Sequence, residues 1–225
     1  MSSPYFSNGV IYAQLYDGPV MAVSQTGATL WTVAPLGTNG AFCCEAAPLL
    51  ATPSLLVTVV NATLCGLDPS TGLVLWKTNI GSWTASGISF WNGMVYAGMT
   101  TGYAVNAATG SIVFKVPGLR IGHDAVVDGV LYGSNLDMGQ FCAYNATTGS
   151  QIWCVYGQSA SSPGISNGVV YTLSMQGALS AINASNGNII WIYSAHCPST
   201  CESDVAVGSG YVYIGTGNGL IAVRA

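Results

Sequence analysis

Charge is the scarcest commodity in this chain. Asp, Glu, Lys and Arg make up 5% of 225 residues, against roughly 25% in ordinary globular proteins. Four basic residues (Lys77, Lys115, Arg120 and Arg224) cannot build the positive stripe that a phosphate backbone needs, which excludes nucleic acid as a partner. Long apolar runs are also missing. The richest stretch, residues 46–60, is broken by Pro48, Thr52, Pro53 and Ser54, so no helical membrane span is expected. Met1-Ser-Ser-Pro lacks the basic and apolar regions of a secretory signal. The start therefore reads as the end left by signal removal, or as an excerpt of a longer chain. No segment carries a capped 3.6-residue apolar period, which predicts almost no helix. The seven cysteines form no zinc-type pair of CxxC pairs.

What is present is apolar and repetitive. Half of the residues are hydrophobic and 29 are glycine, so a disordered acidic chain is excluded. One phrase recurs: Gly66-x-Asp68-x-x-Thr71-Gly72-x-x-x-Trp76, Ala104-x-Asn106-x-x-Thr109-Gly110-x-x-x-Phe114, Ala143-x-Asn145-x-x-Thr148-Gly149-x-x-x-Trp153 and Ala181-x-Asn183-x-x-Asn186-Gly187-x-x-x-Trp191. A shortened copy runs from Ala22 to Trp31, and a truncated one, Ala222-Val-Arg224-Ala225, closes the chain. The aromatics at 31, 76, 114, 153 and 191 are spaced by 45, 38, 39 and 38 residues. Asn8-Gly9, Asn92-Gly93, Asp128-Gly129 and Asn167-Gly168 supply hairpin turns between short apolar runs.

Four-stranded antiparallel units repeated at about 40 residues predict an all-β, six-bladed β-propeller. The expected blades span about 2–33, 45–78, 84–116, 122–156, 160–194 and 202–225 of a single domain covering 1–225. The last blade lacks its outer strand, leaving either a truncated edge tolerated by the packing or one that a neighbouring subunit or missing segment fills. Trp31, Trp76, Phe114, Trp153 and Trp191 are assigned to docking blade on blade. Their apolar area is large, and the turn glycine lets the next backbone approach.

The Ala-x-Asp/Asn-x-x-Thr-Gly-x-x-x-Trp phrase resembles the tryptophan-docking repeat of quinoprotein-type (PQQ-like) β-propellers along essentially the whole chain. That family includes quinone-dependent alcohol dehydrogenases and non-catalytic propellers, such as a lipoprotein assisting bacterial outer-membrane barrel assembly. Its members are usually eight-bladed. For a dehydrogenase, the resemblance would place a vicinal disulfide and its following acid at Cys43, Cys44 and Glu45. No channel cluster of Arg and Lys is present for the quinone carboxylates, so a PQQ cofactor is not expected.

Aligning the repeats at the entry to their first strands brings together Ser3, Ala47, Ser86, Asp124, Ser162 and Asp204. Glu45, His123 and Glu202 flank that place. Glu45, Asp124, Glu202 and Asp204 are an oxygen-rich candidate calcium site, set against the plainer reading of solvated acids at a channel mouth. His123 and Asp124 are adjacent on a strand and so face opposite ways, which argues against a catalytic dyad. Trp83, Phe90 and Trp91 lie outside the aromatic ladder and mark either a carbohydrate surface or strand packing.

Cysteine content and three sequons place the chain in an oxidising, extracellular or cell-surface setting. Cys142 is expected opposite Cys154, Cys197 to staple to Cys201, and Cys65 within reach of Cys43 or Cys44. The sequons put N-glycans at Asn61, Asn145 and Asn183, the last two doubling as turn asparagines. The reading is a secreted, N-glycosylated, non-catalytic propeller serving protein partners or self-assembly, as in an extracellular assembly or filament. The alternatives are a quinone-dependent alcohol dehydrogenase and a carbohydrate-binding propeller.

Overall fold

The computed structural model describes residues 4–14, 19–33, 49–60, 62–81, 87–122, 125–135, 137–157, 162–197, 201 and 203–225. Among them there is no helix and there are six antiparallel sheets. Within each sheet the strands pair in chain order, apart from a split first strand in the fourth, as expected of chains whose apolar runs are separated by two-residue turns. Asn8, Asn92, Asp128, Asn167 and Ser209 adopt positive φ of 46–52° immediately before a glycine. That is the backbone of the hairpin turn whose twist matches the strands it joins.

The chain divides into two compact units, Met1–Lys115 and Val116–Ala225, with the boundary inside one strand. The first unit holds three sheets: β1 to β4 (Tyr5–Ser7, Val10–Gln14, Val20–Ser24, Thr29–Val33), β5 to β8 (Leu49–Ala51, Leu56–Val60, Thr63–Leu67, Val74–Asn79) and β9 to β12 (Ile88–Trp91, Met94–Ala97, Thr101–Asn106, Ile112–Pro117). The second unit opens with a sheet whose first strand is split into β13 (Leu119–Arg120) and β14 (Val126–Val127). Both pieces pair with β15 (Val130–Asn135), which is followed by β16 (Gln140–Asn145) and β17 (Gln151–Tyr156). The fifth sheet is β18 to β21 (Gly164–Ser166, Val169–Leu173, Ala178–Asn183, Ile189–Ser194). The sixth has three strands, β22 to β24 (Ala206–Gly208, Tyr211–Thr216, Gly219–Arg224).

Middle strands are buried on both faces, which explains why they read as continuous apolar runs. In the second sheet, Leu56, Cys65 and Leu67 pack with Tyr12, Val20 and Ala22 of the first. Val57, Val59 and Leu64, on the opposite face, pack with Ile88, Val95 and Val105 of the third. In the second unit Tyr132, Phe141 and Trp153 meet Val170 and Ile182. Tyr171, Leu173 and Leu179 meet Val205, Val212 and Ile214. The core is thus a series of layers between successive sheets within each unit, and the outermost strands are the most exposed.

Candidate functional site: the turn, bulge and aromatic of each outer strand

The recurring phrase builds one local device. Its first part is an Asx turn, in which a short side-chain oxygen replaces a missing backbone acceptor. Asp68 Oδ1 accepts from the backbone N–H groups of Ser70 (2.8 Å) and Thr71 (3.0 Å) and from Ser70 Oγ (2.6 Å). Asn106 Oδ1 accepts from Ala108 and Thr109, and Asn145 Oδ1 from Thr147 and Thr148. Asn183 Oδ1 accepts from Ser185 N–H (2.9 Å) and Ser185 Oγ (2.7 Å). The Ser70 hydroxyl, above all, holds the Asp68 carboxyl below the usual carboxylate range.

The second part is a β-bulge, which the sequence reading missed. Ala22 pairs with Trp31 but Val23 with Thr29, Gly66 with Trp76 but Leu67 with Val74. Likewise Ala143 pairs with Trp153 but Tyr144 with Gln151, and Ala181 with Trp191 but Ile182 with Ile189. The residue before each tryptophan is skipped. A bulge of this kind bends its strand and re-aims the next side chain.

The third part is the aromatic itself. The indole N–H of Trp31 donates to Pro69 O (2.9 Å), that of Trp76 to Ala107 O (2.8 Å) and that of Trp153 to Ala184 O (2.8 Å). Each acceptor is the residue after the Asx of the following sheet. The ring lies on that turn's glycine. A Cβ placed on Gly72 would sit 2.7 Å from Trp31, on Gly110 2.9 Å from Trp76, and on Gly187 2.9 Å from Trp153. These glycines also hold φ of 73–77°, so both backbone and space require glycine there. Phe114 occupies the same place on β12 without an N–H to donate.

A second aromatic row went unnoticed in the sequence. Tyr12, Tyr96, Tyr132, Tyr171 and Tyr213 each fall three residues after a turn glycine. Four of them lie within 6.4 Å, ring centre to ring centre, of Trp31, Phe114, Trp153 and Trp191 respectively. Burial pushes the Tyr96 phenol up to about 12. The signal was there as Asn/Asp/Ser-Gly-x-x-Tyr, alongside the hairpin pairs.

What the device leaves outside is apolar. Leu30, Leu75, Val113, Ile152 and Ile190 each precede the aromatic and are 54, 53, 50, 48 and 54% exposed. Leu73, Ile112, Ile189, Ile192 and Tyr156 extend this exposure along the outer strands.

The expected calcium ligands Glu45, Asp124 and Glu202 lie outside the described residues, as does His123. Asp204 is exposed and accepts a hydrogen bond from Ser162 N–H at 3.0 Å. Val205 N–H returns one to Ser162 O at 3.2 Å, so this carboxylate ties the fifth sheet to the sixth. Among the described residues no three of His, Cys, Asp and Glu group together. The described basic residues stand on four different strands: Lys77 on β8, Lys115 on β12 and Arg224 on β24 are exposed, and Arg120 on β13 is half-buried.

Cys142 and Cys154 face each other across β16 and β17 and form a disulfide, as do Cys197 and Cys201. Cys43 and Cys44, expected near Cys65, lie outside the described residues. Cys65 itself is a free, buried thiol. Its cross-strand partner is Lys77, where Cys142 has Cys154, and burial pushes the thiol up to about 11. Of the sequon asparagines, Asn145 is exposed, Asn183 half-buried, and Asn61 outside the described residues. Trp83 is likewise outside; on β9 Phe90 is exposed and Trp91 half-buried.

Comparison with known proteins places this arrangement. The sequence model of the family described as outer membrane protein assembly factor BamB matches residues 1–111 and again 98–225. The chain belongs to the BamB family of PQQ-like β-propellers. A BamB from Yersinia pestis is 30% identical over 172 residues, which are 66% of this chain and 44% of that protein. The chain thus spans less than half the length of the curated relatives it matches. The crystal structure of BamB from Moraxella catarrhalis superposes with a TM-score of 0.75 at 19% identity, over 96% of this chain and 67% of that one. A quinohemoprotein alcohol dehydrogenase from Comamonas testosteroni does so at 0.74 and 14%, over 96% and 51%. At these identities the two structures share the fold with this BamB-family chain, and the dehydrogenase's chemistry does not transfer with it.

Proposed function

We propose that this chain is a non-catalytic protein-interaction module that works in an oxidising compartment, secreted or on the cell surface, as a subunit of an extracellular assembly. The observation that carries this reading is the apolar residue just before each outer-strand aromatic, about half exposed five times over and set on a bulge in four of the five. Singly exposed hydrophobics are ordinary, but a regularly repeated set on outer strands favours contact with another protein. Membership in a family whose namesake is an assembly factor supports it. Two disulfides support the compartment. N-glycans at Asn61, Asn145 and Asn183 would supply the hydration that so few charges cannot. In the Asn145 and Asn183 turns the carboxamide oxygen is engaged, leaving the nitrogen that a glycan uses.

The test is native mass spectrometry of the secreted chain, with and without deglycosylation. Glycan mass and concentration-dependent oligomers are the expected result. Leu75→Ser and Ile190→Ser together should weaken association about tenfold while leaving the melting temperature within the small range typical of surface changes. Quinone-dependent alcohol oxidation by the pure chain would overturn the non-catalytic reading. Glycan-free, strictly monomeric protein at all concentrations would overturn the assembly.

A further inference from the structure

Three buried hydroxyls lie in the apolar layer between the fourth and fifth sheets. Tyr132 packs there with Val170 and Ile182. Side chains alternate along a strand, so Ser134 lies on the face of Tyr132, Thr172 on that of Val170 and Ser180 on that of Ile182. All three are at most 3% exposed, and Thr172 stands directly opposite Ser180. Thr172 Oγ1 is the one buried side-chain oxygen among the described residues without a hydrogen-bond partner. A hydroxyl left in that condition destabilises the fold unless another group meets it.

The matching places in other pairs of sheets show which group that is. Gln14 and Ser134 each come two residues after a tyrosine of the second aromatic row, Tyr12 or Tyr132. Thr58 and Thr172 each follow a residue, Val57 or Tyr171, whose cross-strand partner pairs in turn with Trp76 or Trp191. Between the first two sheets Thr58 Oγ1 donates to Gln14 Oε1 at 2.6 Å. Val59 with Ala97, and Leu173 with Ile214, fill the same two places inside apolar clusters. Of these four pairs only Ser134 and Thr172 set two hydroxyls together, and Ser134 stops at its hydroxyl where Gln14 continues to a planar carboxamide.

The split first strand of the fourth sheet adds a cation at this spot. β13 pairs Arg120 with Ser134, and residues directly opposite share a face, so Arg120 is set beside the same hydroxyls. It is half-buried, whereas Lys77, Lys115 and Arg224 are exposed. A guanidinium carries five N–H donors and serves several acceptors at once.

We infer that Arg120, Ser134, Thr172 and Ser180 bind a single carboxylate group, held where Gln14 puts its carboxamide in the first pair of sheets. A carboxylate has the planar shape of that amide and only accepts hydrogen bonds. It therefore takes the Ser134 and Thr172 protons while the guanidinium neutralises its charge. The solvated side of Arg120 is the way in. The group belongs either to a free small acid or to an acidic side chain of another protein, and the two differ in reach.

The probe is sodium acetate, titrated into the secreted chain at pH 7 and constant ionic strength while backbone amide resonances are followed. Saturable shifts at Ser134, Thr172 and Ser180 are expected with acetate, and none with chloride or with acetamide, its neutral isostere. Thr172→Val keeps the side-chain shape, removes the hydroxyl and should weaken binding about tenfold. Arg120→Gln should weaken it by at least as much. Ser134→Gln puts the chain's own carboxamide in the site and should abolish the shifts. Acetyl-Gly-Glu-Gly-amide separates the sources: saturable shifts with acetate alone assign a free acid, and shifts with the peptide assign a partner's side chain. No saturable shift with either overturns the proposal. So does acetamide that binds as well as acetate, or binding left unchanged by any of the three substitutions.

Discussion

Trp153 and Trp191 hold the same place in consecutive sheets and differ in what receives them. Trp153 is 7% exposed, lies on Gly187 and gives its N–H to Ala184. Trp191 has the same bulge behind it and the same tyrosine beside it, yet among the described residues only side-chain packing ahead. The difference shows that the outer strand's sequence aims the ring, whereas the following sheet's turn completes the contact. The seat is therefore a property of two repeats.

Removing the rings gives the largest effect. Trp153→Ala leaves a cavity between the fourth and fifth sheets and should cost about 3–5 kcal/mol in urea unfolding. Trp191→Ala should cost roughly half as much, because this ring is partly solvated already and among the described residues its N–H makes no hydrogen bond. The phenylalanine variants separate area from polarity. Trp153→Phe should cost about 1 kcal/mol, reproducing the natural Phe114, and Trp191→Phe close to nothing. Equal losses at the two positions would mean that the turn contributes nothing to the seat.

A mutation on the receiving side sharpens the comparison. Gly187→Ala forces a side chain into positive φ and drives its Cβ to 2.9 Å from Trp153. Gly27 has a similar φ of 86° with nothing near its Cβ. Gly27→Ala should therefore report the backbone term alone, about 1–2 kcal/mol. Gly187→Ala should exceed it by a further 1–3 kcal/mol or so of overpacking. Thermal unfolding of the two variants against the parent chain measures the difference.

Much of this device was legible in the sequence because its parts are spelled by residue type. Asn-Gly pairs marked the hairpins, and Thr-Gly-x-x-x-Trp marked the outer strands. Cys142 and Cys154 stood on opposite sides of one turn and meet in register. The bulge was not legible, since a skipped residue is spelled like any other apolar one. Leu30, Leu75, Ile152 and Ile190 look like core residues until the pairing shows them turned out. What an acid at a strand entrance already touches was not legible either, and of the four only Asp204 lies among the described residues. A repeat alignment gathers Asp204 with its counterparts, yet cannot show that its oxygen is already engaged by the Ser162 backbone. The split first strand of the fourth sheet was equally hidden, because Leu119–Arg120 and Val126–Val127 pair with opposite ends of one β15.

The smallest effect concerns the one carboxylate among the four Asx turns of the recurring phrase. Asp68 closes its turn with a carboxylate, whereas Asn106, Asn145 and Asn183 use neutral amides of the same reach. Hydrogen bonds from Ser70 and Thr71 hold the Asp68 carboxyl below its ordinary value of 3.8. A group whose folded value is depressed stabilises the fold fully above its unfolded value. That contribution is lost as pH falls through the folded value. The second sheet's turn, and with it the seat of Trp31, should therefore loosen as pH drops below about 4. The turns of the third, fourth and fifth sheets should hold. Asp68→Asn should flatten this acid limb and change stability at pH 7 only slightly. Amide exchange at Ser70, Thr71 and Gly72, followed from pH 6 to pH 3 in both chains after correction for intrinsic rates, is the measurement. A turn in the Asn variant that loosens over the same range as the parent would show that the carboxylate is not what the acid removes.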